Sequence, residues 1–290
     1  MFFRKHSVNI CFIKMVKNTE YKMISIICPC YNSIETIKGV FDSISSQKNM
    51  KFKIEVIFVD DGSMDNTVNL INSEIKRLHT KGIAAYLYTS RHKGPGAARN
   101  IGIKKSIYKY IAFIDSDDTW YETKIAICEQ AILANPGSNI FIHDETYIRN
   151  NKESSTIVNG VHANPLKTSL YVKNCLSTSA VIVKKELLTK YGDFDQRLMS
   201  SQDYDLWLKL SPYLVLHKIN DILGEYHETS NSITAKFYFY RVFDQLLIAH
   251  RYKRYVTIHQ YYFKILKIIF SKQWFYGLKN MFFGDNSHNY

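Results

Sequence analysis

The sequence predicts an α/β fold: a Rossmann-like, mainly parallel sheet flanked by helices, with a C-terminal helical extension rich in aromatic and basic residues. Three observations predict it. Short apolar runs alternate with segments of helical periodicity through the first half, the βαβ rhythm of a parallel sheet. Acidic clusters stand at Asp60-Asp61, Asp115-Ser116-Asp117-Asp118 and Asp203-Tyr204-Asp205, the first two directly after apolar runs. Ligands of open α/β sheets gather outside the carboxyl ends of the strands, so acids there suit a divalent cation or a ribose better than a core. Beyond about residue 233, aromatic and basic residues dominate.

The elements follow in order. Residues 23–28 read as the first strand, followed by a loop and a helix over 34–46. Residues 52–59 are the second strand, with a helix over 65–78 for which Asp65 is the candidate N-cap. The third strand is 83–88 and the third helix 97–106; the fourth strand is 110–114 and the fourth helix 121–133, ending before Asn135-Pro136-Gly137. A short strand is expected at 141–143. From there the rhythm loosens: 145–160 is polar and turn-rich, a hairpin or a flexible loop. Residues 178–183 read as a strand, 203–210 as a short helix, and 213–219 and 222–226 as edge strands. The predicted organisation is an extension over 1–22, a domain over 23–232 that divides into halves at 23–118 and 119–232, and a helical tail over 233–290.

Composition narrows the function classes. Of 290 residues, 46% are apolar and 14% aromatic, enough for a packed core and unlike a disordered chain. The net charge is +12, and residues 236–283 carry nine Lys/Arg against the single acid Asp244. Such asymmetry points to an anionic partner. Cys11, Cys28, Cys30, Cys128 and Cys175 are scattered, and Cys28-Pro29-Cys30 lacks the two-residue spacer of a redox or zinc pair. They suit small buried residues in a reducing cytoplasm. No apolar run reaches the length of a spanning helix. Residues 1–22 carry Arg4, Lys5, Lys14 and Lys17 around a short, interrupted apolar stretch, a poor signal peptide.

Each acidic cluster has a chemical and a plain reading. Asp60 or Asp61 can accept the imide N–H of uracil or ribose hydroxyls, with Gly62 permitting a tight turn; a turn-forming Asp-Gly is the alternative. Lys93-Gly94-Pro95-Gly96-Ala97-Ala98-Arg99 resembles a dinucleotide loop, but Arg99 takes the place of the third glycine and the segment follows the third strand. A glycine loop opening a helix, whose N–H groups and Arg99 face an anion, is the better reading. Asp115 and Asp117, two residues apart after a buried strand, can share a hard cation that bridges a diphosphate. Asp203 opens a helix and reads either as a general base or as an N-cap, with the helix N-terminus expected to favour its charged form. His227, at the end of the last apolar run, can ligate a metal or touch a diphosphate, or be structural.

The ordered set Cys28-Pro29-Cys30-Tyr31-Asn32, Val59-Asp60-Asp61-Gly62-Ser63, Gly96-Ala97-Ala98-Arg99-Asn100-Ile101-Gly102, Asp115-Ser116-Asp117-Asp118 and Gln202-Asp203-Tyr204-Asp205-Leu206-Trp207 resembles the motifs of the inverting family 2 glycosyltransferases of GT-A fold. The likeness spans roughly residues 23–232 and implies a catalytic domain there, with a nucleotide-binding half over 23–118 and an acceptor half over 119–232. It implies a nucleotide-diphospho-sugar donor, usually a UDP-sugar, and Mg2+ or Mn2+. By that likeness Pro29, Tyr31, Asn32, Asp60, Asp61, Arg99, Asp115 and Ser116 bind the nucleotide. Asp117 and His227 ligate the metal, and Asp203 is the base. Two departures stand out: Gln202 where many relatives carry Glu, and Tyr226 directly before His227 where an Arg is frequent. Neither a Q-x-x-R-W segment nor spanning helices are present, which favours transfer of a single sugar over polymerisation.

Residues 113–119 also match the D-x-D-x-T pattern of haloacid-dehalogenase-like phosphatases, which would leave Asp60, Asp61 and the glycine loop without a role. A catalytically inactive protein binding nucleotide sugar or membrane is the other alternative. The tail interleaves Tyr, Phe and Trp with Arg251, Lys253, Arg254, Lys264, Lys267 and Lys272, a pattern suited to an anionic membrane surface. Packing of those aromatics on the domain is the plain alternative, and no nucleic-acid module is present. A cytoplasmic enzyme, peripheral at the inner face of the membrane and acting on a saccharide or lipid-linked saccharide, is the resulting expectation. Truncation after about Thr234 is expected to leave the donor site assembled.

Overall fold

The computed structural model describes residues 23–149, 152–160, 166–228 and 238–271. The expectations for residues 1–22 and for the tail beyond 271 lie outside the described residues.

The first half forms as its pattern dictates. Strands β1 (Met23–Cys30), β2 (Lys53–Asp60), β3 (Ala84–Thr89) and β4 (Tyr110–Phe113) are parallel neighbours in the order β3-β2-β1-β4. Helices α1 (Ile37–Ser45), α2 (Thr67–Thr80) and α3 (Pro95–Lys105) make the connections. β1 and β2 are buried on both faces, which is why they read as unbroken apolar runs. The expected cap at Asp65 is realised one position early: its carboxylate accepts the Thr67 N–H at 3.0 Å and the Ile34 N–H at 3.3 Å.

The second half is mixed rather than parallel. It contributes β5 (Thr119–Trp120), α4 (Lys124–Ala134), β6 (Ile140–Arg149), β7 (Lys152–Ile157), α5 (Leu166–Val172), β8 (Val181–Lys184), α6 (Lys185–Tyr191), α7 (Gln202–Leu210) and β9 (Leu216–Glu228). The sheet continues β4-β8-β6-β9-β5, with β7 pairing β6. β8 is antiparallel to β4 and β6, while β9 is parallel to β6 and antiparallel to β5. Three expectations change here. The two edge strands at 213–219 and 222–226 are one strand inside the sheet, its register shifting where Ile142 pairs Lys218 and Asp144 pairs Ile222. The short strand at 141–143 runs on to Arg149 and, with β7, makes 145–160 a hairpin followed by a turn. The strand at 178–183 starts only at Val181, because Thr178–Ala180 is a 3-10 turn.

Side-chain alternation along the strands builds two cores. Ile24, Ile26 and Cys28 pack with Val40, Phe41, Ile71 and Ile125 from α1, α2 and α4. Ile27, Ile111, Phe113 and Val181 pack with Leu170, Leu188 and Trp207 from α5, α6 and α7. Helices α8 (Tyr238–Arg251) and α9 (Ile258–Ile269) belong to this second core through Val242, Ile248, Ala249 and Ile268. Asp244 accepts bonds from the Ser200 N–H at 2.7 Å and hydroxyl at 3.0 Å, and the Tyr171 hydroxyl donates to the Ala249 carbonyl at 2.9 Å. The described part of the tail is therefore a structural layer, and its removal would strip the core under α7. Truncation after about Thr234 is therefore expected to disturb the assembly rather than spare it.

Candidate active site

β1, β2 and β4 end at the same edge, and that edge gathers the acids. Asp60, buried at the end of β2, is consumed by its own turn. It accepts the Gly62 and Ser63 N–H groups at 3.1 and 3.0 Å and the Ser63 hydroxyl at 2.5 Å, while Gly62 turns through φ 81°. Asp61, equally buried, reaches across to the glycine loop. It accepts the Lys93 N–H at 3.0 Å and the Gly94 N–H at 2.7 Å, and pairs with His92 Nδ1 at 2.9 Å. The His92 ring stacks on Tyr31 with centroids 4.1 Å apart. Asn32, itself at φ 48°, ties this corner together by accepting the Met64 N–H and donating its own to Ser63. Pro29 lies buried in β1 opposite Val59. Both aspartates thus keep the loops in place.

Arg99 sits on α3 facing this edge. Its Nη2 meets Asp115 Oδ1 at 2.5 Å, its guanidinium lies 5.3 Å from the Phe194 ring, and its Nε is buried without a partner among the described residues. The Asp115 N–H donates to Ser179 Oγ at 3.0 Å, and the Ser179 hydroxyl in turn donates to Asp118 at 2.5 Å. Ser116 accepts from Ser33 at 3.0 Å. Asp118 is buried and also accepts the His227 N–H at 3.0 Å. Burial raises its pKa well above the usual carboxylate range, and the charges of Asp117, Asp115 and Glu145 add to the effect. His227 joins the cluster through its backbone, whereas its ring Nε2 lies 3.1 Å from Glu225.

Asp203 approaches from α7. Asn174 donates to its Oδ2 at 2.9 Å, and both Arg99 and Asp115 act on it electrostatically. Burial raises its pKa, outweighing the Tyr204 N–H, Arg99 and Asn174, which pull it down. This reverses the sequence expectation that the helix N-terminus would decide: desolvation wins. Ser201, just before α7, is held at φ 53°, a left-handed conformation costly for a non-glycine residue. Gln202 accepts the Gly96 N–H at 2.8 Å and donates to the Leu198 carbonyl at 2.6 Å, so α7 and the start of α3 are clasped.

Sequence motifs did not flag Ser179, Asn174 or Tyr226. Tyr226 carries a raised pKa from burial and from the charges of Asp118, Asp115, Asp117 and Asp203, which puts its hydroxyl within electrostatic reach of the whole acidic set. A cation suits this field. Among the described residues no three His, Cys, Asp or Glu side chains converge tightly enough to hold a metal by themselves. Mg2+ usually takes one or two carboxylates and completes its shell with substrate phosphates and water, so Asp115 and Asp117 fit a metal that arrives with a diphosphate.

A sheet whose carboxyl edge collects these acids, an arginine and a glycine loop defines the GT-A class of nucleotide-sugar folds. Residues 25–188 match the family described as Glycosyl transferase family 2, and the chain belongs to that family. An uncharacterised glycosyltransferase of Rickettsia felis is 29% identical over 191 residues, 65% of this chain and 30% of that protein. The chain thus spans about a third of the length of the rickettsial relative. A protein of Escherichia coli named UDP-Glc:alpha-D-GlcNAc-diphosphoundecaprenol beta-1,3-glucosyltransferase WfaP is 28% identical over 218 residues, 74% of this chain and 80% of its own. Among solved structures, S. aureus TarS 1-349 in complex with UDP-GlcNAc superposes with TM-score 0.68 at 19% identity, covering 89% of this chain and 75% of that one. PcManGT of Pyrobaculum calidifontis, with GDP-Man and Mn2+, gives 0.59 at 18%, covering 84% and 68%. These likenesses establish the fold. The phosphatase alternative needs its motif on a first strand, and here it follows β4.

Proposed function

We propose that the chain transfers a single sugar from a UDP-sugar to a saccharide or lipid-linked saccharide, inverting the anomeric centre, with Asp203 as general base. The observation that carries this reading is the convergence of Asp203 with the Arg99–Asp115 pair at the carboxyl edge of the sheet. The WfaP name, with its UDP-glucose donor and diphosphoundecaprenol-linked acceptor, supports both substrate classes, and the TarS complex supports a UDP-sugar.

In this reading Tyr31, Pro29, Asn32, Asp60 and Asp61 frame the nucleoside. Arg99, whose Nε has no partner among the described residues, and the α3 N-terminus face the diphosphate, near Asp115 and Ser116. Asp117 and Asp115 would hold Mg2+ or Mn2+, with His227 as a further candidate; PcManGT with Mn2+ supports a metal. When bound, the ion neutralises charge building on the leaving diphosphate. Asp203 takes the proton of the acceptor hydroxyl as its oxygen bonds to the anomeric carbon. The bond from that carbon to the diphosphate oxygen breaks, and its electron pair leaves with UDP. A raised pKa suits the base, because proton transfer is most efficient when the pKa lies near the working pH. Cytoplasmic localisation, peripheral at the inner membrane face, goes with a lipid-linked acceptor.

Thermal stabilisation by UDP with and without Mn2+ tests the donor site, since a ligand that binds only the folded state raises its melting temperature. Metal-dependent stabilisation is expected in the wild type and absent in Asp117→Asn. No stabilisation by any nucleotide would sink the reading. The product's anomeric configuration by NMR tests inversion.

A further inference from the structure

Helices α8 and α9 bury one side in the second core and leave the other uncovered among the described residues. On α8, Val242, Ile248 and Ala249 face inward, while Tyr240, Phe243 and Leu247, at i, i+3 and i+7, are 53%, 63% and 49% exposed. Along α9 and its C-terminal cap, Ile258, Tyr262, Leu266 and Phe270 recur every fourth residue, each more than half exposed, beside Phe263 at 70%. The two helices run against each other, with the Tyr261 hydroxyl 3.2 Å from His250 Nδ1. Scattered exposed apolar residues need no explanation, but a periodic stripe on two adjacent helices marks a contact surface.

Charge identifies the occupant. Residues 238–271 hold six Lys/Arg and one acid, Asp244. That acid is buried and bonded to Ser200, so the hairpin turns no carboxylate outward. Lys253, Arg254 and Lys267 are exposed. The partner must be anionic yet offer an apolar layer. Nucleic acid meets the first requirement, but Leu247, Ile258 and Leu266 cannot stack on bases as aromatic platforms do. A bilayer with anionic headgroups above its acyl chains meets both.

We propose that the α8–α9 hairpin docks this protein on an anionic lipid surface. The same hairpin grips the helix that carries Asp203: Arg251 pairs with Asp205 at 2.5 Å and with Asp195 at 3.1 Å, and the Tyr252 hydroxyl donates to Asp205 at 3.1 Å. Docking therefore fixes α7 relative to the bilayer, on the same unit that holds the proposed base. The surface lies outside the acidic cluster, so its failure leaves the UDP reading untouched.

Flotation of the full chain with vesicles of phosphatidylcholine alone, or mixed with phosphatidylglycerol, is the test. Binding is expected only to the mixed vesicles and is weakened by salt. Lys253→Glu, Arg254→Glu and Lys267→Glu together should cost at least about a hundredfold in vesicle affinity, since the reversal adds repulsion to the lost attraction. Phe263→Ala with Leu266→Ala should remove binding that survives high salt. Because these side chains are exposed, the melting temperature and UDP affinity of both variants should match the wild type. Arg251 is spared because it holds Asp205. A wild type that ignores mixed vesicles at low salt overturns the proposal, as do variants that bind undiminished. Two further results overturn it. One is light scattering that finds an oligomer which Phe263→Ala with Leu266→Ala reduces to monomers without vesicle binding. The other is vesicle binding that appears only after residues 272–290 are deleted.

Discussion

The two ends of the candidate site are held by different means. At the end proposed to hold the nucleotide, Asp60 and Asp61 accept backbone N–H groups from loops that follow β2 and β3, so the chain's own turns fix the carboxylates. At the other end, Asp203 and the His227 segment are held by side chains from distant parts of the sequence: Asn174 on Asp203, Gln202 on Gly96, Asp118 on the His227 N–H. The first arrangement is local and made of main-chain bonds. The second depends on the packing of α7 between the sheet and the α8–α9 hairpin. On the proposed assignment, a donor pocket that survives perturbation and an acceptor side that does not are the expected consequences.

Removing α8 and α9 should break the comparison hardest. Truncation after Thr234 takes away Val242, Ile248, Ala249 and Ile268 from the second core, Asp244 from Ser200, and Arg251 from Asp205 on α7. Losing several buried aliphatic side chains at about 2–5 kcal/mol each exceeds the stability of most domains. Aggregation or loss of the cooperative melt is expected, read by light scattering and calorimetry. A truncated chain that melts like the wild type would show that the two regions are held independently.

Asp203→Asn is the next in size, and it separates chemistry from folding. Turnover should fall at least about 10²-fold while UDP affinity barely changes, because a base matters in the transition state and little in donor binding. The same change should stabilise the protein at neutral pH. Burial raises the folded-state pKa of Asp203, so the folded chain binds that proton more readily than the unfolded chain does. Its contribution to stability is therefore present in acid and lost as pH rises through the raised value. Asparagine removes this half-buried charge only where the charge exists, so a modest gain should appear at neutral pH and vanish in acid. Melting curves across pH check it, and curves that stay parallel would mean burial does not govern the group.

The same contrast explains what the sequence revealed. Strands β1, β2 and β4 are covered on both faces, so they are written as continuous apolar runs, and the acids at their ends stand out. β6 carries buried polar residues His143, Glu145 and Thr146 through its middle, which made a strand look like a polar loop. β9 is interrupted by Asn220-Asp221, where its register with β6 shifts, and so read as two short pieces. Ser179, Asn174 and Tyr226 enter the site only through long-range contacts and have no local signature. Asp203 was legible as a residue, but its raised pKa was not, because burial by α7 packing outweighs the helix terminus. The α8–α9 segment was legible as basic and aromatic, yet one side of each helix is core.

Asp61→Asn probes the local end of the comparison and should have the smallest effect. The carboxylate spans two N–H donors, with Oδ1 on Lys93 and Oδ2 on Gly94. An asparagine keeps one acceptor and turns an NH2 toward the other donor, so one buried N–H loses its partner. The cost should be about 2 kcal/mol, the size of one hydrogen bond to a charged group. That loss falls on the loop leading into α3 and on the His92 ring that stacks on Tyr31. UDP affinity should therefore drop while the turnover of the saturated enzyme stays near that of the wild type. If turnover falls as far as in Asp203→Asn while UDP still binds, the glycine loop is coupled to α7 through Gln202. The two ends would then act as one unit.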